Sequence, residues 1–127
     1  SLRKNDELIT SVIIPKPEKG VIVKSYKISK RKDLDISTLS AGFRLNLGEN
    51  KVDSIVLAYG GMADRVKRAS NAERFLLGKS WERKTVEDAE SLIENDFTPI
   101  SDARGSAEFR LRAAKNLLLK FFIESKD

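Results

Sequence analysis

The stretch Ile36-Ser37-Thr38-Leu39-Ser40-Ala41-Gly42-Phe43-Arg44-Leu45-Asn46-Leu47, then Gly48-Glu49-Asn50-Lys51, then Val52-Asp53-Ser54-Ile55-Val56-Leu57-Ala58-Tyr59 decides the fold. In its first part Leu39, Ala41, Phe43, Leu45 and Leu47 fall on one side of a two-residue period, with Thr38, Ser40, Arg44 and Asn46 on the other. The return run alternates through Ile55, Leu57 and Tyr59, and the residues between the runs have turn composition. This pattern predicts an antiparallel hairpin with one apolar face, ended by Gly60-Gly61.

Working outward toward the N-terminus, Val21–Ser29 (VIVKSYKIS) places Ile22, Tyr26 and Ile28 on one strand face and Val21, Val23, Lys27 and Ser29 on the other. Before it, Glu7–Ile14 (ELITSVII) is apolar and β-branched and also reads as a strand, stopped by Pro15-Lys16-Pro17-Glu18-Lys19-Gly20. Toward the C-terminus the period becomes helical. Ser70-Asn71-Ala72-Glu73 has capping-box form, with Ala69, Ala72 and Leu76 on one face and a stop at Gly78. Thr85 opens a second helix with Val86, Ala89 and Ile93 as its apolar stripe, and Pro99 lies beyond it. A third helix, Ser106–Ile123, aligns Ala107, Leu111, Ala114, Leu118 and Phe121, with Arg112, Lys115 and Lys120 away from that stripe. Strands followed by helices predict an α+β domain, residues 1–127, with an antiparallel sheet of three to four strands packed against a three-helix layer.

The 127 residues include 24 Lys and Arg against 19 Asp and Glu, a net charge of +5; 40% are hydrophobic and 34% charged, as in ordinary globular domains. There is no cysteine and no histidine, which excludes disulfides, Cys-His zinc sites, thiol nucleophiles, histidine general bases and cysteine ligation of iron–sulfur clusters by this chain. No apolar run approaches the roughly 20 residues that cross a bilayer and no signal-peptide pattern is present, so a cytoplasmic location is expected. The single methionine is Met62 and the chain opens at Ser1, so a fragment of a longer chain is expected.

Few residues stand out chemically. Lys30-Arg31-Lys32, with Lys24 and Lys27, makes a candidate anion site, although Asp33 and Asp35 offset part of the charge and a charged turn is usually just solvated. Lys27 differs because a strand pleat fixes its direction. Gly60-Gly61 follows a strand as phosphate-binding turns do, but no Gly-x-Gly-x-x-Gly or Walker pattern accompanies it. Asp33 and Asp35 make a poor hard-cation pair, so no metal is expected. Trp81 reads as a core residue, and Asp102–Arg110 as a helix start capped by Ser106 and Glu108. A basic nucleic-acid-binding module is the rival reading, motivated by the net charge and by Tyr26 and Phe43 on strands.

Four ordered motifs carry a resemblance over nearly the whole chain: Lys27-Ile28-Ser29-Lys30-Arg31-Lys32-Asp33-Leu34-Asp35-Ile36-Ser37, Ala58-Tyr59-Gly60-Gly61-Met62-Ala63, Asp96-Phe97-Thr98-Pro99-Ile100-Ser101-Asp102, and Gly105-Ser106-Ala107-Glu108-Phe109-Arg110. With them the chain resembles the C-terminal domain of molybdenum-hydroxylase flavoproteins, a group that includes the flavin subunits of xanthine dehydrogenases and the carbon monoxide dehydrogenase medium subunit. Tyr59–Ala63, then Lys67-Arg68-Ala69 and Trp81, favour the small subunit of bacterial xanthine dehydrogenase.

The resemblance implies strands backed by three helices, lying C-terminal to a main FAD-binding domain that this sequence lacks. It implies electron flow from a molybdenum cofactor through iron–sulfur clusters to FAD and then NAD+, with the upstream FAD-binding domain and a molybdenum-cofactor subunit as partners. The flavin-side lysine falls on Lys27, and an aliphatic residue approaching the flavin on Ile9, both expected on one sheet face. Gly60 and Gly61 would let backbone approach a dinucleotide, and the basic loop would raise the local potential for its phosphates. Animal xanthine dehydrogenases have an acid where this chain has Leu34. The fragment alone is expected to be inactive.

Overall fold

A two-residue turn in which Glu49 and Asn50 both have positive φ (50° and 62°) closes the predicted hairpin, the geometry whose twist matches that of paired strands. The computed structural model describes Lys4, residues 6–31 and residues 35–126. Its elements are β1 (Ile22–Ile28), β2 (Leu39–Gly48), β3 (Lys51–Gly60), β4 (Lys67–Arg68), α1 (Ser70–Leu76), α2 (Arg83–Asp96) and α3 (Ala107–Glu124). The strands form one antiparallel sheet in the order β1-β2-β3-β4, and the fold is α+β as expected.

One sheet face builds the core. Leu39, Ala41, Phe43 and Leu45 of β2 and Ile55, Leu57 and Tyr59 of β3 are buried, in one cluster with Ala72 and Leu76 of α1, Val86, Ala89 and Ile93 of α2, and Ala114, Leu118 and Phe121 of α3. A register shift at Asn46/Leu47 lets Val52 join them. Phe43 meets Tyr59 and Phe121 at centroid distances of 5.1 and 5.3 Å. Trp81 is buried against Phe121 and Phe122, and its indole N–H donates to Ser125 Oγ at 2.8 Å. Gly78, at φ +74°, follows α1 as the predicted stop.

Four expectations change. Glu7–Ile14 is not a strand: a strand needs a partner edge, and among the described residues β1 pairs only with β2. Leu8, Val12, Ile13 and Ile14 are 77–89% exposed, and the fourth strand is Lys67–Arg68 instead. Ser70 does not cap α1; Ala69 holds the cap position without a side-chain acceptor. Glu73, expected to close a capping box, accepts the Leu57 N–H at 2.7 Å and pairs with Arg68 at 2.7 Å, tying α1 to the sheet. Helix α2 begins at Arg83, ahead of Thr85. In α3 the buried stripe is broader than predicted: Arg110, Ala113, Leu117 and Phe122 join it, while Ala107 and Leu111 sit half-buried at its margin. Ser106 does cap α3, accepting the Phe109 N–H at 3.1 Å.

Candidate functional site

Because paired residues on neighbouring strands point to the same side, the register fixes what the other sheet face carries. Lys27 pairs with Ser40, and Ser40 with Gly60. In the next row Ser25 pairs with Gly42 and Gly42 with Ala58; in the third, Val23 pairs with Arg44 and Arg44 with Val56. These residues are exposed or half-exposed. Beside the Lys27 ammonium, the first two rows of the outer face are therefore a floor of Gly, Ser and Ala; the third carries Val23, Val56 and the Arg44 guanidinium, which donates to Ser54 Oγ at 3.0 Å.

The structure thus brings together two of the four predicted site residues, Lys27 and Gly60, in one cross-strand row. Gly61 follows at the strand exit with φ +83°. Both glycines have an internal reason as well: a Cβ on Gly60 would lie 2.5 Å from Ser40 Oγ, and one on Gly61 would lie 2.5 Å from the Thr38 carbonyl oxygen. Ile9 is 69% exposed but lies on an extended stretch outside the sheet, so the expected sharing of a sheet face with Lys27 is not found.

The basic loop is less available than its charge suggests. Lys30 Nζ donates to the Ala103 carbonyl at 2.6 Å, and Arg31 lies 3.7 Å from Asp35, whose carboxylate also accepts the Arg31 and Ile36 N–H groups. Lys32 and Asp33, weighed above for anion and cation binding, and Leu34, which stands where animal xanthine dehydrogenases have an acid, lie outside the described residues. Between this loop and the 102–105 turn are two adjoining hollows of about 270 and 320 Å³ that share Lys30, Thr38 and Arg104.

Both strand aromatics invoked for nucleic acid belong to the core side. Phe43 is buried, and Tyr26 packs on it at 5.6 Å while donating its hydroxyl to Glu124. They offer no stacking platform. Burial, then the Glu124 carboxylate, holds the Tyr26 phenol above its ordinary pKa, and burial does the same for Tyr59, so neither ionises near neutrality. In the three outer rows of β1–β3 the charged side chains are Lys27 and Arg44. Such a face suits a planar group that gains negative charge: small side chains allow close approach, and the strand holds the cation.

Sequence reasoning missed Arg110, given above to a helix start. Its side chain is 4% exposed, and it pairs with Asp102 at 2.7 Å. The signal was its position three residues after Ala107 and four before Ala114, on the apolar side of the helix.

The chain matches the model of the CO dehydrogenase flavoprotein C-terminal domain family over residues 24–125. It is 40% identical over 121 residues to a xanthine dehydrogenase of Emericella nidulans, covering 92% of this chain and 9% of that protein. To the glyceraldehyde dehydrogenase medium chain of Sulfolobus acidocaldarius it is 33% identical over 118 residues, covering 93% and 41% of the two chains. Among solved structures, reconstituted CO dehydrogenase from Oligotropha carboxidovorans superposes with a TM-score of 0.75 at 27% identity, over 88% of this chain and 38% of that one. The chain thus spans less than half the length of each of these relatives.

Proposed function

Because the chain belongs to the CO dehydrogenase flavoprotein C-terminal domain family, we propose that the outer face of its sheet forms one wall of a flavin site completed by a preceding FAD-binding domain. The enzyme we infer is a xanthine dehydrogenase, in which electrons pass from a molybdenum cofactor through iron–sulfur clusters to FAD and on to NAD+. Identity of 40% to a xanthine dehydrogenase over almost the whole chain supports that choice. The iron–sulfur clusters must be ligated outside this chain, which has neither Cys nor His. A cytoplasmic setting accords with it.

The observation that carries this reading is the row Lys27-Ser40-Gly60 on the outer face of the sheet. FAD, when bound, supplies the carrier that links one-electron clusters to a two-electron nucleotide. The Lys27 ammonium, held by the β1 pleat, offsets the negative charge that the ring gains on reduction. Ser25, Gly42 and Ala58 leave room beside it for a flat group, and a Cβ built on Gly42 meets nothing within 4 Å. Ile9, exposed on a stretch rich in β-branched residues, excludes water once the preceding domain packs on that stretch. Substrate choice belongs to the molybdenum subunit.

The test is flavin retention. The 127-residue chain alone is expected to purify colourless, and the same chain joined to its preceding FAD-binding domain to carry FAD. Stoichiometric FAD on the chain alone, or none on the joined protein, contradicts the proposal.

A further inference from the structure

We propose that Arg110 is a positioning residue for the Lys27 row, an inference that rests on the flavin-wall reading. Its guanidinium is buried where three segments meet. Nη1 donates to the Thr38 carbonyl and, at 2.8 Å, to the Gly61 carbonyl; Nη2 donates to Asp102 Oδ1 at 2.7 Å. Thr38 ends the basic connection and immediately precedes β2, while Gly61 immediately follows β3. The Thr38 N–H in turn donates to the Ile28 carbonyl at 2.8 Å. Each member of the row, Lys27, Ser40 and Gly60, therefore lies within two residues of a backbone group fixed directly or at one remove by this one side chain.

The third segment is held just as closely. Asp102 Oδ1 also accepts the Arg104 and Gly105 N–H groups at 2.9 and 3.1 Å, and these bonds together with Arg110 hold its carboxyl below the usual range. Thr38 Oγ1 donates to the Arg104 carbonyl at 3.0 Å, and Lys30 to that of Ala103. Both ends of the basic connection are thereby stapled to the 102–105 turn, and the turn to Arg110. An ion pair that buries its guanidinium while its carboxylate stays partly exposed is a poor source of net stability, because desolvation of the buried partner cancels much of the attraction. What a planar fork does supply is direction: it holds two carbonyls and a carboxylate at fixed angles, which the point charge of lysine cannot reproduce. Gly61 fits this role, since a Cβ there would press on the Thr38 oxygen and lie 3.0 Å from Nη1.

The experiment uses the whole flavoprotein carrying Arg110→Lys, with Asp102→Asn as the milder second variant and Lys27→Ala as the control for the flavin-wall reading. Two readouts are taken: the flavin midpoint potential, and the rate of tryptic cleavage after Lys30 and Arg31 in protein stripped of FAD. Arg110→Lys is expected to lower the reduced-to-oxidised ratio at fixed potential about tenfold, ~30 mV for a two-electron couple, and to speed cleavage about tenfold. Asp102→Asn is expected to move both the same way by less, and it decides the matter if Arg110→Lys does not fold. Wild-type potential and wild-type cleavage in the folded variants overturn the inference. If Lys27→Ala still lowers the potential in that case, the flavin-wall reading stands without it; if Lys27→Ala also leaves the potential unchanged, that reading falls too.

Discussion

Asp96, the last residue of α2, caps α1: its Oδ1 accepts the Asn71 N–H at 3.0 Å and its Oδ2 the Ala72 N–H at 3.3 Å. The first N–H groups of a helix have no intrahelical partner, and Ala69 at the cap position has no side-chain oxygen to offer. A carboxylate there also faces the positive end of the helix. Asp96 is buried, so water does not readily replace it. Asp96→Ala should destabilise the chain by about 1–2 kcal/mol, read as a lower urea midpoint with an unchanged m value. A midpoint equal to wild type would show that the cap contributes nothing.

The two glycines after β3 should respond differently. At Gly60 a new Cβ meets a serine hydroxyl that can rotate away, whereas at Gly61 it meets a backbone carbonyl at a φ of +83°. Gly61→Ala is therefore expected to cost on the order of 2–3 kcal/mol, and Gly60→Ala less than about 1 kcal/mol. Thermal unfolding of the two variants side by side checks the order. If Gly60→Ala proves the more damaging, the internal packing described for Gly61 is wrong.

Glu90 supplies a pH dependence. Its Oε1 is buried without a hydrogen-bond partner, and burial, followed by the Glu87 charge, pushes its carboxyl above the usual range against the pull of Lys115 and Arg83. The folded state therefore holds this proton more tightly than the unfolded state does. The chain should lose stability as pH rises through the ordinary glutamate value, about 4.3, and level off once the folded-state group has ionised. Glu90→Gln should be the more stable at pH 7 by on the order of 0.5 kcal/mol, a small figure because the residue is only part-buried. The advantage should vanish below about pH 4. A difference that persists in acid would place its origin outside this ionisation.

What was legible in the sequence was local. The alternation of Leu39–Leu47 and Ile55–Tyr59 reports a face directly, because every second side chain shares it. The spacing of Val86, Ala89 and Ile93 does the same for α2. The outward direction of Lys27 also followed from the strand period. Long-range partners left no such trace. Asp96 caps a helix that starts 26 residues before it, and Glu73 leaves its own helix end to bind Leu57. The pairing of Lys27 with Gly60 across Ser40 depends on the register of three strands, of which only the hairpin turn has a sequence signature. Glu7–Ile14 has strand composition without a strand, since composition states a preference and a ladder needs a second edge.

The most direct measurement is the flavin midpoint potential of the whole enzyme with Lys27→Ala, by spectroelectrochemical titration at matched FAD content. Loss of a strand-fixed cation beside the ring should disfavour its reduced form about tenfold, ~30 mV downward for the two-electron couple. A potential equal to that of the wild type, with FAD fully retained, would contradict the claim that this sheet face is a flavin wall.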